Sequence, residues 1–123
     1  METNTKLTVV LGASVNPRRY SHLAVQRLTA HGHPVIAIGN KPGDIDGTPI
    51  QITTLPADKV DTVTLYLNPT HQKEYYDYIL SLKPKRVIFN PGAENKELYS
   101  LAQANGIEPV EACTLVLLST GQF

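Results

Sequence analysis

The sequence predicts a doubly wound α/β fold in a single domain: a parallel sheet of about five strands with helices on both faces. Three observations predict it. Short apolar runs rich in β-branched residues alternate with amphipathic stretches of about a dozen residues. Those stretches are long enough to be crossover connections, which keep successive strands parallel. The 123 residues leave room for one hydrophobic core and not for two.

Residues 7–11 are the first strand, ended by Gly12, and Leu23, Ala24 and Leu28 then share a helical face before Gly32 supplies a stop. Residues 35–38 are the second strand. Gly, Pro, Asn and Asp mark a loop over 39–47, and a short extended segment follows over 49–53. Residues 60–67 are the third strand. Asn68 then reads as an N-cap with Pro69 in the first helical position, opening a helix with Tyr75, Ile79 and Leu82 on one face. Residues 86–89 are strand four; Leu98, Leu101 and Ala102 mark the next helix, stopped by Asn105-Gly106; residues 107–110 are strand five. Residues 1–5 are expected to be flexible. The tail, 114–123, has no assigned element, and its apolar run 115–118 is expected to close the sheet's edge or to mediate a dimer.

Composition narrows the partners. Lys plus Arg equals Asp plus Glu at 11 each, so no global field draws the chain to nucleic acid or to an anionic membrane, and any anion site is local. The single cysteine, Cys113, has no intramolecular disulfide partner, and METNTKLTVV lacks the basic and apolar regions of a signal peptide. No run approaches the roughly 18 apolar residues of a membrane helix. A soluble cytoplasmic protein is expected.

In a Rossmann-like order strand one is central, strands two and three lie to one side and strands four and five to the other, and ligands bind beyond the carboxyl ends where the order reverses. Those ends carry GASVNPRR and NPGAEN. Residues 12–19 and 91–95 are therefore expected to face each other across one crevice, with Asn40, Lys41 and residues 68–70 at its side. Bare peptide nitrogens beyond the central strand, backed by nearby cations, would cradle a pyrophosphate there. The dinucleotide fingerprint G-x-G-x-x-G is not met: Ala13, Ser14, Val15, Asn16 and Pro17 follow Gly12 without a second glycine. Where that motif wants an acid after strand two, the chain has Ile38, Gly39, Asn40 and Lys41. An ammonium suits a phosphorylated ribose, which both NADP and coenzyme A carry.

Gly12-Ala13-Ser14 with Asn16-Pro17 after the first strand, the loop 40–47 after the second, Asn68-Pro69 after the third and Asn90-Pro-Gly-Ala-Glu-Asn95 after the fourth together resemble the small stand-alone CoA-binding domain family. That family is similar in turn to the nucleotide-binding domain of the succinyl-CoA synthetase alpha subunit, and the likeness covers roughly residues 6–113. The resemblance implies a Rossmann-like domain that holds coenzyme A or an acyl-CoA through its adenosine diphosphate portion. It implies that Gly12, Ala13 and Ser14 line the phosphates, that Asn16 and Pro17 shape the loop, and that Asn40 and Lys41 lie near the ribose and its phosphate. Asn68 and Pro69 would border the adenine, and Pro91, Gly92, Ala93 and Glu94 would flank the pantetheine exit. The chain departs from the family where Lys41 separates Asn40 from Pro42, and in its apolar tail.

Plainer readings stand beside these. Arg18 and Arg19 sit at a helix start, where cations are unfavourable unless an anion is near, so one of them is expected to serve the ligand. Ser14 has no local base and reads as a phosphate-binding hydroxyl rather than a nucleophile. His71 is the one histidine on the ligand side, yet a polar first-turn residue explains it; Glu94 is likewise explained as an acid in a helix's first turn, and Cys113 as a small core residue. His22, His31 and His33 show no metal spacing. Tyr75, Tyr76 and Tyr78 read as helix packing or a partner surface. The reading is a non-catalytic binding module, acting as carrier, sensor or partner subunit, in which a homodimer or an enzyme partner is an option. The alternative is an NADP-linked reductase or a small acyl-CoA enzyme using His71 or Glu94, although no substrate domain or large covering loop is visible.

Overall fold

Seven strands form one sheet in the computed structural model, which describes residues 5–123; the expectation for the first residues falls, for 1–4, outside the described part. In chain order the elements are β1 (Thr8–Leu11), α1 (Tyr20–Ala30), β2 (Val35–Ile38), β3 (Gly43–Ile45), β4 (Thr48–Gln51) and β5 (Thr62–Leu65). They continue with α2 (Pro69–Gln72), a 3-10 turn (Lys73–Tyr75), α3 (Tyr76–Leu82), β6 (Arg86–Phe89), α4 (Lys96–Ala104), β7 (Glu108–Glu111) and α5 (Thr114–Ser119). β1 and β5 are buried at every position, as strands covered on both faces of a parallel sheet must be.

The spatial order is β3-β4-β2-β1-β5-β6-β7, parallel throughout except for the β3–β4 pair. This corrects the expected order and count. Asp46 and Gly47 both take positive φ (48° and 94°), the two-residue turn that joins antiparallel strands, and Gly47 N donates to Asp44 Oδ2 at 2.8 Å. The loop read over 39–47 and the extended segment read over 49–53 thus form a hairpin. Its second strand pairs with β2 and takes the place assigned to the third strand, so β5 lies on the other side of β1.

Two apolar layers sandwich the sheet. On one face Val10, Ala37, Ile45 and Ile50 pack under Val25 and Leu28 of α1 and Leu118 of α5. On the other, Val9, Leu11, Val63, Leu65 and Phe89 pack under Ile79 and Leu82 of α3 and Leu98 and Ala102 of α4, with Tyr75, Tyr76 and Tyr78 partly buried against them. The edge half of the tail's expectation is corrected: α5 lies on the sheet's face beside α1, and among its large apolar residues Val116 is well exposed, at 54%.

The helix expected after Asn68 is interrupted. Asn68 caps α2 by accepting from His71 N at 3.0 Å, with Pro69 in the first position, but the chain then tightens through the 3-10 turn before α3 resumes. The interruption follows Gln72, which is fully buried and tied to backbone carbonyls on both sides of the crevice. α1 ends as read: His31 closes it, Gly32 turns at φ 83°, and His33 N bonds back to Leu28 O. Among the described residues no helix is long and apolar enough to cross a membrane.

Candidate functional site

Because β1, β2, β5, β6 and β7 run parallel, the loops that leave them gather at one edge of the sheet. The loop after β1 is built by close approach. Gly12 has φ 97°, and a Cβ on it would stand 3.0 Å from the Tyr66 carbonyl group, so only glycine lets the loop cross the end of β5. A Cβ on Gly39 would run into Ala13 O, and one on Gly43 into Val15 Cγ1. These two glycines bring Asn40, Lys41 and Pro42, all exposed, alongside residues 13–15.

Hydrogen bonds then decide which amides face outward. Gly12 N and Ala13 N both donate to Ile38 O at 2.9 Å, so the two amides nearest the strand are used within the sheet. The bare nitrogens expected beyond the central strand are therefore not those of Gly12 and Ala13. Asn16 N donates to Ser14 Oγ at 3.1 Å, Arg18 N to Asn16 Oδ1 at 3.0 Å, and Arg19 N to Asn16 O at 3.0 Å, a pair of side-chain turns that leads into α1. His22, in the first turn of α1, donates from Nδ1 to Ser14 O at 2.9 Å. Among the described residues the amides of Ser14, Val15, Tyr20 and Ser21 have no acceptor. α1 has no side-chain cap and no acid in its first turn, and Arg18 and Arg19 are exposed beside it. Ser21 is itself buried, at 3% exposure, so the amides of Ser14, Val15 and Tyr20, a helix's positive end and two guanidinium groups form the anion-attracting corner. Ser14 Oγ accepts from Asn16 N and keeps its own proton to donate. His22 meets the Ser14 carbonyl rather than the hydroxyl, so it is not a base for that group.

The expected facing of residues 12–19 and 91–95 is changed by the strand order. β5 stands between β1 and β6, and Tyr66, Leu67 and Asn68 fill the space between the two loops. All share one edge, but the direct neighbour of the β1 loop is the end of β5. The β6 loop is pinned from below by Asn90, which is 2% exposed. Its Nδ2 donates to Thr64 Oγ1 at 2.6 Å and Leu65 O at 2.9 Å, and its Oδ1 accepts from Thr114 N at 2.9 Å. Gln72 Nε2 donates to Leu67 O (2.7 Å) and Ala93 O (2.8 Å), while its Oε1 accepts from Asn95 Nδ2 (2.9 Å). One buried carboxamide thereby fixes the spacing between the β5 and β6 loops.

Pro91, Gly92 and Glu94 are exposed at that edge and Ala93 is buried. Glu94 is not in the helix's first turn as expected. Asn95 is the N-cap of α4, accepting from Glu97 N and Leu98 N, and Glu94, one residue earlier, accepts from Gly92 N at 2.9 Å. His71 and Pro69 are exposed, and Asn68 uses its Oδ1 for capping. Cys113 is a half-buried free thiol. Nearby, the Tyr66 hydroxyl is buried beside the hydroxyls of Thr114 and Thr64 with no hydrogen-bond partner in good geometry among the described residues, and burial is the main cause that pushes its pKa far up. Among the described residues no cluster of His, Cys, Asp or Glu can hold a metal.

Among the described residues, concavities lie elsewhere. A groove of about 270 Å³ runs between α1 and α5, lined by Leu23, Arg27, His31, Leu115 and Val116. A cleft of about 490 Å³ opens at the amino edge among Lys6, His33, Asp61, Lys85 and Phe123. Neither includes the loop corner at the carboxyl edge. Sequence reasoning missed Gln72, for which no local signal exists, and the bond from His22. It noticed Gly39 without a reason for it, and the reason is the contact with Ala13 O.

The family model of the CoA binding domain matches residues 6–119. Among solved structures, a crystal structure of an uncharacterized protein is 53% identical, with a TM-score of 0.95 over 98% of this chain and 100% of that one. A hypothetical protein from Pyrococcus horikoshii OT3 is 24% identical, with a TM-score of 0.85 over 95% of this chain and 84% of the other. A protein from Thermus thermophilus is 21% identical, with a TM-score of 0.82 over 97% and 91%. At those lower identities the likeness is one of fold. No curated protein matches the chain.

Proposed function

This chain belongs to the CoA binding domain family, and we propose that it binds coenzyme A or an acyl-CoA through the adenosine diphosphate portion, as a binding module that carries out no chemistry of its own. The observation that carries the reading is the corner at the start of α1. There, among the described residues, the amides of Ser14, Val15 and Tyr20 are left without acceptors next to Arg18 and Arg19. A pyrophosphate fits such a group of donors, because backbone amides approach phosphate oxygens closely and the helix's positive end favours the charge.

The remaining assignments follow the loops. Gly12 and Ala13 shape the cradle through Ile38 O, Ser14 adds its hydroxyl, and Asn16 with Pro17 sets the turn. Asn40 and Lys41 serve the ribose and its phosphate, held next to residues 13–15 by the Gly39 and Gly43 contacts. Asn68 and Pro69 border the adenine, and Pro91, Gly92, Ala93 and Glu94 border the pantetheine arm. When bound, coenzyme A supplies a thiol or thioester; the chain's own groups here orient and neutralise. His71 and Glu94 are not proposed as catalytic. The Glu94 carboxylate is engaged by Gly92 N, and His71 is an exposed helix-start residue.

Thermal shift with CoA, acetyl-CoA, 3'-dephospho-CoA, NADP and NAD tests this. A specific ligand at about 1,000 times its dissociation constant stabilises by about 4 kcal/mol. CoA is expected to raise Tm, and 3'-dephospho-CoA to do so less at equal concentration. Stabilisation by NADP alone would replace the reading with the reductase alternative, and silence towards every CoA compound would end it.

A further inference from the structure

Two of the outward amides belong to peptide units whose carbonyls are both held on the opposite side. The unit carrying Ser14 N–H has Ala13 O pressed against Gly39, where no side chain would fit. The unit carrying Val15 N–H has Ser14 O bonded to His22 Nδ1 at 2.9 Å. No cis peptide occurs among the described residues, and in a trans unit the N–H and C=O point in opposite directions. Fixing a carbonyl therefore aims the amide. The Ser14 amide points away from Gly39 and the Val15 amide away from the His22 ring, and neither finds an acceptor within the described chain.

We infer that His22 and Gly39 are positioning residues for the anion site: they touch no phosphate, but hold the β1–α1 loop so that the Ser14 and Val15 amides converge on one. This rests on the CoA reading above and adds to it the groups that set the cradle's geometry. His22 reaches back eight residues to Ser14, across a loop that makes only short-range side-chain turns of its own. Removing that bond frees the Ser14–Val15 peptide to rotate. Gly39 cannot make up for the loss, because it restrains only the preceding unit. The imidazole thus acts as a brace, and any side chain with an N–H donor in the same place would serve.

The test uses the full chain labelled with 15N, as wild type, His22→Phe, which keeps ring volume without the donor, and His22→Asn, which keeps a donor near the Nδ1 position. In the free protein His22→Phe is expected to displace the Ser14 and Val15 amide resonances, and His22→Asn to return them towards wild type. Calorimetry with CoA is expected to give a dissociation constant raised about tenfold by His22→Phe and restored within about threefold by His22→Asn, the scale of one charge-assisted hydrogen bond. His22→Leu is the second donor-free variant if the phenylalanine unfolds the chain. Unchanged resonances or an unchanged CoA constant in the donor-free variant would overturn the inference, and so would an asparagine variant as impaired as the phenylalanine. If wild type ignores CoA, the CoA reading falls by itself. The brace is then judged with inorganic pyrophosphate, which must perturb the Ser14 and Val15 amides in wild type and not in His22→Phe, or the inference falls too.

Discussion

Single residues at the loop corner act through the space they leave. Gly39 has an ordinary φ, so its need for hydrogen in place of a side chain comes wholly from Ala13 O. Gly39→Ala must push the Ala13 carbonyl outwards. It is expected to lower stability by about 1–3 kcal/mol by chemical denaturation and to weaken CoA binding at temperatures where the variant is folded; full affinity in a folded Gly39→Ala protein would contradict the contact. His33 offers a second test, at the other end of the sheet. Its Nδ1 accepts from Lys6 N at 3.0 Å, and burial, followed by the charges of Lys6, His31 and Arg86, holds its pKa below 6.5. The folded chain therefore takes up a proton at His33 less readily than the unfolded chain does. The stability concerned is whole above pH 6.5 and falls as the pH drops through 6.5 and past the lower folded value. Tm measured from pH 7.5 downwards should decline less steeply near 6 in His33→Asn than in wild type. Parallel profiles would remove His33 from the account.

Elements show where local pattern and tertiary demand part. Runs of β-branched and apolar residues mark β1, β2, β5 and β6, of which β1 and β5 are buried throughout and β2 and β6 in part, and the caps at Asn68-Pro69 and His31-Gly32 follow from backbone geometry that only a few residue types accept. The Asp46-Gly47 turn is just as local, and its two positive φ values are what those residues favour; β4 falls within the extended segment read over 49–53, while β3, only three residues long, is too short for an alternation to stand out. α5 is different. Its apolar run indicates burial without saying against what, and the answer is the α1 face, where Leu118 is 5% exposed among Val10, Val25 and Leu28. Leu118→Ala is expected to cost about 2–3 kcal/mol, the lower part of the range for such truncations because the adjoining groove lets the site relax. A loss below about 0.5 kcal/mol would mean that α5 does not pack as described.

At the scale of the whole molecule, one sheet crosses the chain from Gly43 to Glu111 with a core on each face, so neither layer is stable without the strands they share. Urea unfolding is expected to be one transition, coincident by far-ultraviolet circular dichroism and by tyrosine fluorescence. Two separated midpoints would show that the layers melt independently. The candidate site is also a property of this scale, since its loops leave β1, β2, β5 and β6, which are scattered along the chain and share an edge only because they run parallel. Alternating strands and helices, the loops that carry the small and polar residues, and the even balance of charge are all legible from the residues in order, because each is a matter of nearest neighbours or of simple counting. Only the folded chain reveals that β5 rather than β6 adjoins β1, that Gln72 and Asn90 tie the β5 and β6 loops together from beneath, and that the amides of Ser14 and Val15, unlike those of Gly12 and Ala13, have no acceptor among the described residues. The physical reason is that a buried hydrogen bond or a forbidden Cβ joins residues far apart in the chain, and no local pattern records which partner will satisfy it.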